Sequence, residues 1–180
     1  MAELMTVEEV AQYLRVTTKT IYRLLKKGTI PTSKVGHLWR FDKGTIDNWL
    51  KENATSAKGS ILVIDDEEDI RALFEDVLMS LGHKVMTAET ASRGLALIKA
   101  HSFDMVFLDL KMPGTDGATL FGQIRAIKPE QLVTIITAYP DSDLMARALE
   151  QGPFAVMKKP FTVSDIQNTI DIFLAISKTK

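Results

Sequence analysis

From residue 61 onward, short unbroken apolar runs alternate with stretches whose apolar residues recur at helical spacing. Ile61-Leu62-Val63-Ile64 is the first run, the pattern of a strand buried on both faces. The next stretch places Ile70, Leu73, Phe74, Val77, Leu78 and Leu81 at helical spacing and reaches Gly82, a C-terminal stop. The alternation continues with a strand over 84–88 and a helix over 91–100, then a strand over 105–108 and a helix over 118–127 ahead of Pro129. A strand over 132–137 is followed by a helix over 143–150 that stops at Gly152-Pro153, and a strand over 154–157 by a helix over 164–176. Five strand–helix pairs predict a doubly wound α/β domain, a five-stranded parallel sheet with helices on both faces. Ligands of such sheets bind beyond the carboxyl ends of the strands, near the point where strand order reverses.

The first 52 residues follow another pattern. Thr6-Val7-Glu8-Glu9 is a capping-box sequence, and it starts a short helix with Val7, Val10, Ala11 and Leu14 on its apolar face. Arg15-Val16-Thr17 is a tight turn. Thr17 or Thr18 caps a second helix, Lys19–Lys27, which ends at Gly28. Two short helices joined this closely are a helix-turn-helix arrangement. Thr32–Phe41 reads as two short strands about a Gly36-His37 turn, a wing, and Asp42 caps a third helix that turns Ile46, Trp49 and Leu50 inward. Trp39 and Trp49 are expected in the core. Asn53–Ser60 is small, polar and aperiodic. The expected organisation is a winged module over 1–52, a linker over 53–59 and the α/β domain over 60–180.

Charge supports this division. Residues 1–58 carry ten Lys/Arg against six Asp/Glu, and residues 59–180 carry twelve against seventeen, so a net charge of −1 conceals a basic and an acidic part. There is no cysteine, which excludes disulfides, thiolate metal sites and thiol catalysis and accords with a cytoplasmic setting. Met1–Thr6 lacks a basic region leading into an apolar run, so no signal peptide is expected. No apolar stretch approaches the ~18–20 residues of a spanning helix, so no membrane partner is expected.

The candidate chemistry lies at the predicted strand ends. Asp65-Asp66 follow the first strand, Asp109 closes the third, Thr137 closes the fourth and Lys159-Pro160 follow the fifth. Singly these are ordinary loop or strand residues; the weight lies in their order, each at the carboxyl end of its strand. Packed carboxylates repel one another and are kept ionised together by a cation, and an all-oxygen site of this kind suits Mg²⁺. A carboxylate can attack phosphorus, and Lys159 and Thr137 are placed to bind phosphoryl oxygens.

Ile61–Glu67, Asp109–Gly117, Ile136–Tyr139 and Lys158–Phe161 together resemble the receiver domains of bacterial response regulators over essentially all of residues 59–180. The resemblance implies a flavodoxin-like receiver in which a sensor histidine kinase or phosphotransfer protein phosphorylates Asp109. It further implies Mg²⁺ held by Asp65, Asp66, Asp109 and the Lys111 backbone carbonyl, phosphoryl oxygens held by Thr137 and Lys159, and a cis Lys159–Pro160 bond. One position departs from the family: Val156 stands where an aromatic residue usually reports phosphorylation.

The N-terminal segments Thr6–Leu14, Thr20–Gly28, Ile30-Pro31 and Val35–Arg40 resemble the excisionase-like and MerR-type winged helix-turn-helix family over residues 4–52. This implies binding of double-stranded DNA through Lys19, Thr20, Tyr22, Arg23, Lys26 and Lys27 on the second helix and Lys34, His37 and Arg40 on the wing. The combined reading is a two-component response regulator whose DNA binding is controlled by phosphorylation, with a phosphorylation-dependent homodimer as one route. It is regulatory rather than a turnover enzyme. The rival readings are a phosphorylation-dependent protein-interaction adaptor and a phosphate sink.

Overall fold

The computed structural model describes residues 4–53 and 58–177. Residues 54–57, most of the expected linker, lie outside the described residues. The chain divides into two compact units, Met1–Ala57 with Asn168–Lys180, and Lys58–Gln167.

The N-terminal module runs β1 (Leu4–Met5), α1 (Val7–Tyr13), α2 (Thr18–Lys27), β2 (Ser33–Val35), β3 (Leu38–Asp42) and α3 (Lys43–Asn53). The capping box is closed from both sides: Glu9 N–H donates to Thr6 Oγ1 and Thr6 N–H to Glu9 Oε2, which satisfies two otherwise orphaned donors. The α1–α2 turn holds Arg15 at φ 52, a left-handed conformation, and α2 stops at Gly28 at φ 68, where the missing Cβ removes the steric penalty. Asp42 is the last residue of β3, and its Oδ1 accepts from both Thr45 N–H and the Thr45 hydroxyl. The three strands form an antiparallel sheet in the order β1-β3-β2. Val10, Ile21, Leu24, Phe41 and Ile46 fill the core, with Trp49 buried and Trp39 only half-buried.

The second part of the chain alternates without interruption: β4 (Ser60–Ile64), α4 (Glu68–Ser80), β5 (Lys84–Ala88), α5 (Ala91–Ala100), β6 (Met105–Asp109), α6 (Gly117–Ile127), β7 (Leu132–Thr137), α7 (Asp143–Glu150), β8 (Ala155–Lys158) and α8 (Val163–Ser177). All neighbouring strands are parallel, in the order β5-β4-β6-β7-β8. This is the expected five-stranded, doubly wound sheet. Every residue of β6 is buried, as a central strand covered on both faces requires. One face carries Leu62, Ile64, Val106, Leu108, Val133 and Ile135 into a core shared with α5, α6 and α7. On the opposite face Phe74 of α4 packs against Phe107, with ring centroids 4.7 Å apart and planes tilted by 52°.

Strand order reverses between β4 and β6, so the residues after these two strands flank the crevice in which doubly wound folds bind ligands. Gly117 makes the crevice possible. A Cβ there would lie 2.3 Å from the Asp109 backbone oxygen, so only glycine lets α6 begin against the end of β6.

Candidate functional site

Parallel register lines up the strand ends. Ile64 pairs with Leu108, Asp109 with Ile136 and Thr137 with Lys158. Asp65, Asp109, Thr137 and Lys159 therefore reach one edge from four adjacent strands. Lys159 Nζ donates to Asp65 Oδ2 at 2.9 Å, Glu67 Oε1 at 2.7 Å and Asp109 Oδ2 at 3.2 Å. The Asp65 and Asp109 side chains are almost wholly inaccessible, and that of Lys159 is 14% exposed. The Lys159–Pro160 peptide is cis.

Three carboxylates face one ammonium, so the cluster carries surplus negative charge. Burial pushes the Asp65 carboxyl above its ordinary range, and the bonds from Lys159 and the Glu67 N–H only partly oppose it. Burial raises the Asp109 carboxyl as well, with the charge of Asp65 as the second cause, against Lys159 and the Lys111 N–H. For Lys159, burial pulls the ammonium downward, but hydrogen bonds to Glu67 and Asp65 and the nearby carboxylate charges outweigh it and hold it above its usual value. Perturbed carboxyls beside a fixed cation at the crevice mark this cluster as the candidate functional site. Carboxylate oxygens of Asp65, Glu67 and Asp109 all lie within 4.8 Å of one another, a hard all-oxygen donor set of the kind that suits Mg²⁺.

The surrounding loops complete the edge. Lys111 N–H donates to Asp109 Oδ1 at 3.2 Å. The buried Thr137 Oγ1 accepts from Tyr139 N–H at 3.0 Å. Lys111 Nζ sits 4.5 Å from the centroid of the exposed Tyr139 ring, a cation–π contact joining the loops after β6 and β7.

A matching family model covers residues 61–171 and describes a response regulator receiver domain. The chain belongs to the response regulator receiver family. A second model, a helix-turn-helix domain, matches residues 4–54. Sporulation initiation phosphotransferase F of Bacillus subtilis is 29% identical over 64% of this chain and 94% of its own length. The DNA-binding transcriptional regulator NtrC of Salmonella typhimurium is 34% identical over 60% of this chain, yet only 23% of NtrC is spanned. Among solved structures, a CheY-like receiver domain protein from Methanospirillum hungatei superposes with TM-score 0.64 at 26% identity, covering 68% of this chain and 97% of that one. A receiver domain from Clostridium thermocellum matches at 33% identity and TM-score 0.60 over 66% of this chain and 96% of that one. The chain is thus a two-component response regulator with an N-terminal helix-turn-helix and a C-terminal receiver.

The receiver gathers Asp65, Asp109, Thr137 and Lys159 at one edge, as expected. It also draws in Glu67, which the strand-end reading passed over, while Asp66 is exposed and not among the clustered carboxylates. Both follow β4 in an acidic run, and only the turn, with Glu67 N–H donating to Asp65 Oδ1 at 2.9 Å, decides which side chain folds back. Val156 is half-buried on β8.

In the helix-turn-helix, Lys19, Tyr22, Lys26 and Lys27 of α2 stand in solvent, with Arg23 intermediate. Thr20 does not belong with them. It is 2% exposed, and its hydroxyl hydrogen-bonds the Thr17 hydroxyl at 3.1 Å. The signal was in the sequence: Thr17, Thr20, Ile21 and Leu24 follow the i, i+3, i+4, i+7 rule of one helix face. On the wing, Lys34 and His37 are exposed and Arg40 is half-buried. Among the described residues, no helix is long and apolar enough to cross a membrane.

Proposed function

We propose that Asp109 is the phosphoacceptor of this receiver, and that its phosphorylation by a sensor histidine kinase or phosphotransfer protein governs binding of double-stranded DNA by the module over residues 1–52. The observation that carries this reading is the Asp109 carboxylate at the end of β6, buried beside Asp65 and 3.2 Å from the Lys159 ammonium. An Asp109 oxygen forms the new bond to phosphorus as the bond from phosphorus to the donor's imidazole nitrogen breaks, and the leaving imidazole takes a proton from solvent. Lys159 holds phosphoryl oxygens as a point charge. Thr137, whose Oγ1 accepts from Tyr139, keeps its own hydroxyl proton for a phosphoryl oxygen.

Asp65, Glu67 and Asp109 would hold Mg²⁺, with Asp66 and the Lys111 carbonyl as further oxygen donors after the same two strands. When bound, the ion neutralises carboxylate and phosphoryl charge together. The chemistry serves regulation, not turnover of a metabolite. The domain limits we propose are 1–52 for the DNA-binding module and 60–180 for the receiver.

Receiver dimerisation is the proposed output, because pairing two DNA-binding modules raises the effective concentration of the second contact. It has a parallel in the beryllofluoride-activated NtrC4 receiver domain dimer, 30% identical to this chain. The test is sedimentation and binding to a duplex across a salt series, with and without beryllofluoride and Mg²⁺. The reading expects a shift to dimer, tighter binding, and affinity that falls steeply with salt. Unchanged sedimentation and affinity would refute phosphorylation control. Absence of DNA binding at every salt concentration would favour an adaptor.

A further inference from the structure

The acidic cluster depends on one short turn. Asp65, Asp66 and Glu67 lie between β4 and α4. Glu67 N–H donates to Asp65 Oδ1 at 2.9 Å, and Lys159 Nζ donates to Asp65 Oδ2, so the Asp65 carboxylate is held at both oxygens. The first of these bonds depends on the plane of the Asp66–Glu67 peptide. A trans peptide is planar and points its C=O and its N–H in opposite directions. Whatever anchors the Asp66 carbonyl therefore aims the Glu67 N–H.

Arg71 supplies the anchor. Its Nη1 donates to the Asp66 carbonyl oxygen at 2.9 Å and to the Asp65 carbonyl oxygen at 2.8 Å. The reach follows from helix geometry. Arg71 lies one turn into α4, and helical side chains lean toward the N-terminus, here over the preceding turn. The helix backbone does not do this for itself. Its Arg71 N–H bonds the Glu67 carbonyl at 3.2 Å, and the Asp65 and Asp66 carbonyls lie upstream of that point.

A half-buried arginine beside acidic residues is most simply a solvated countercharge. Two observations argue for more. A cation at this end of a helix opposes the macrodipole, so α4 alone does not favour it. The Nη1 bonds also go to two successive backbone oxygens rather than to the carboxylates of Asp65, Asp66 or Glu67.

We infer that Arg71 is a positioning residue for the cation site. By fixing the Asp66–Glu67 peptide it aims the Asp65 carboxylate and turns Glu67 back toward Lys159, and so strengthens Mg²⁺ binding without touching the ion. This rests on the proposed Mg²⁺ site. The sign of the effect separates positioning from simple charge. A guanidinium near a cation site repels the cation, so losing a mere charge tightens Mg²⁺ binding. Losing a group that orients the ligands weakens it.

The test uses the full chain at neutral pH. Mg²⁺ is titrated, and its half-saturating concentration is read from the rise in the receiver's urea midpoint. The rate of phosphoryl incorporation from a small-molecule donor is followed over the same titration. Arg71→Met keeps the unbranched stem and a good helix former but removes the donors and the charge. Arg71→Lys keeps a nitrogen donor and the charge. Should the Met variant be unfolded without urea, Arg71→Gln, whose amide is too short to reach both carbonyls, takes its place. The inference expects Arg71→Met to raise half-saturation about tenfold in both measurements, with the incorporation rate recovered at saturating Mg²⁺ and Arg71→Lys closer to wild type. A lowered urea midpoint with unchanged half-saturation would reduce Arg71 to a structural residue and overturn the inference. Tighter Mg²⁺ binding would overturn it too, as the mark of a repelling charge alone. A wild-type chain whose midpoint is indifferent to Mg²⁺ would instead remove the Mg²⁺ site itself, and the role of Arg71 with it.

Discussion

In the receiver, one ammonium is enclosed by three carboxylates and stands 14% exposed. On α2, the ammonium groups of Lys26 and Lys27 stand in open solvent with no acidic residue in the helix. The first arrangement is worth having only if geometry is fixed in advance. Charges withdrawn from water interact strongly, but each carries a desolvation cost that partners must offset. The second asks little of geometry, because its gain comes from releasing counterions from a polyanion. The parallel sheet supplies the rigid frame for the first. The ten-residue α2 merely displays the second.

Breaking the contrast at its strongest point means removing the nucleophile. Asp109→Asn should abolish phosphoryl incorporation from a small-molecule phosphodonor with Mg²⁺ while the protein keeps its melting transition, measured by gel retardation of the phosphoprotein. Lys159→Ala leaves Asp65 and Asp109 buried without their cation. In Mg²⁺-free urea denaturation it should cost about 3 kcal/mol, the magnitude of breaking a buried ion pair from one side. Lys26→Ala should do the reverse, changing stability by less than about 0.5 kcal/mol but reducing the salt slope of DNA binding by about 1. If Lys159→Ala and Lys26→Ala changed stability alike, the distinction between enclosed and displayed charge would fail.

Smaller effects sharpen it. Asp116 caps α6, accepting from Thr119 N–H at 2.6 Å, and pairs with Arg147 at 3.4 Å. Its burial raises the carboxyl's pKa, but the bonds from the Thr119 N–H and hydroxyl and the Arg147 charge outweigh this and leave it below the ordinary value. A lowered folded-state pKa stabilises above the unfolded value and is lost as pH falls through the folded one. Asp116→Ala should thus cost about 1 kcal/mol at neutral pH and progressively less in acid, by chemical denaturation at several pH values. Thr134 lies mid-strand in β7, wholly buried, its hydroxyl without a hydrogen-bond partner among the described residues. Thr134→Val keeps the shape and removes the unmet polar group, and should stabilise by up to about 1 kcal/mol.

The two regions also differed in what the sequence disclosed. The sheet was legible because a strand buried on both faces is an unbroken apolar run, and because strand ends then fix where Asp65, Asp109, Thr137 and Lys159 must lie. Element limits drifted where local signals were weak: α4 begins at Glu68 behind Glu67, which makes no side-chain cap bond, and not at residue 70. Two-residue β1 has no period to read and is defined only by its pairing with β3. Glu67 was missed because an exposed side chain's direction is set by its turn, which spacing does not record. Thr20 was legible through helical phase, but its residue type suggested a DNA contact. Beyond Thr20 and the half-buried Arg23, the polar residues named on α2 stand exposed.

The most direct measurement of the central claim is to treat the full chain with a small-molecule phosphodonor and Mg²⁺, reduce the acyl phosphate with borohydride, and locate the reduced residue by peptide mass spectrometry. The account expects one modified carboxylate, Asp109, and none in the Asp109→Asn variant. Modification at Asp65, Asp66 or Glu67, or persistence of label in that variant, would contradict it.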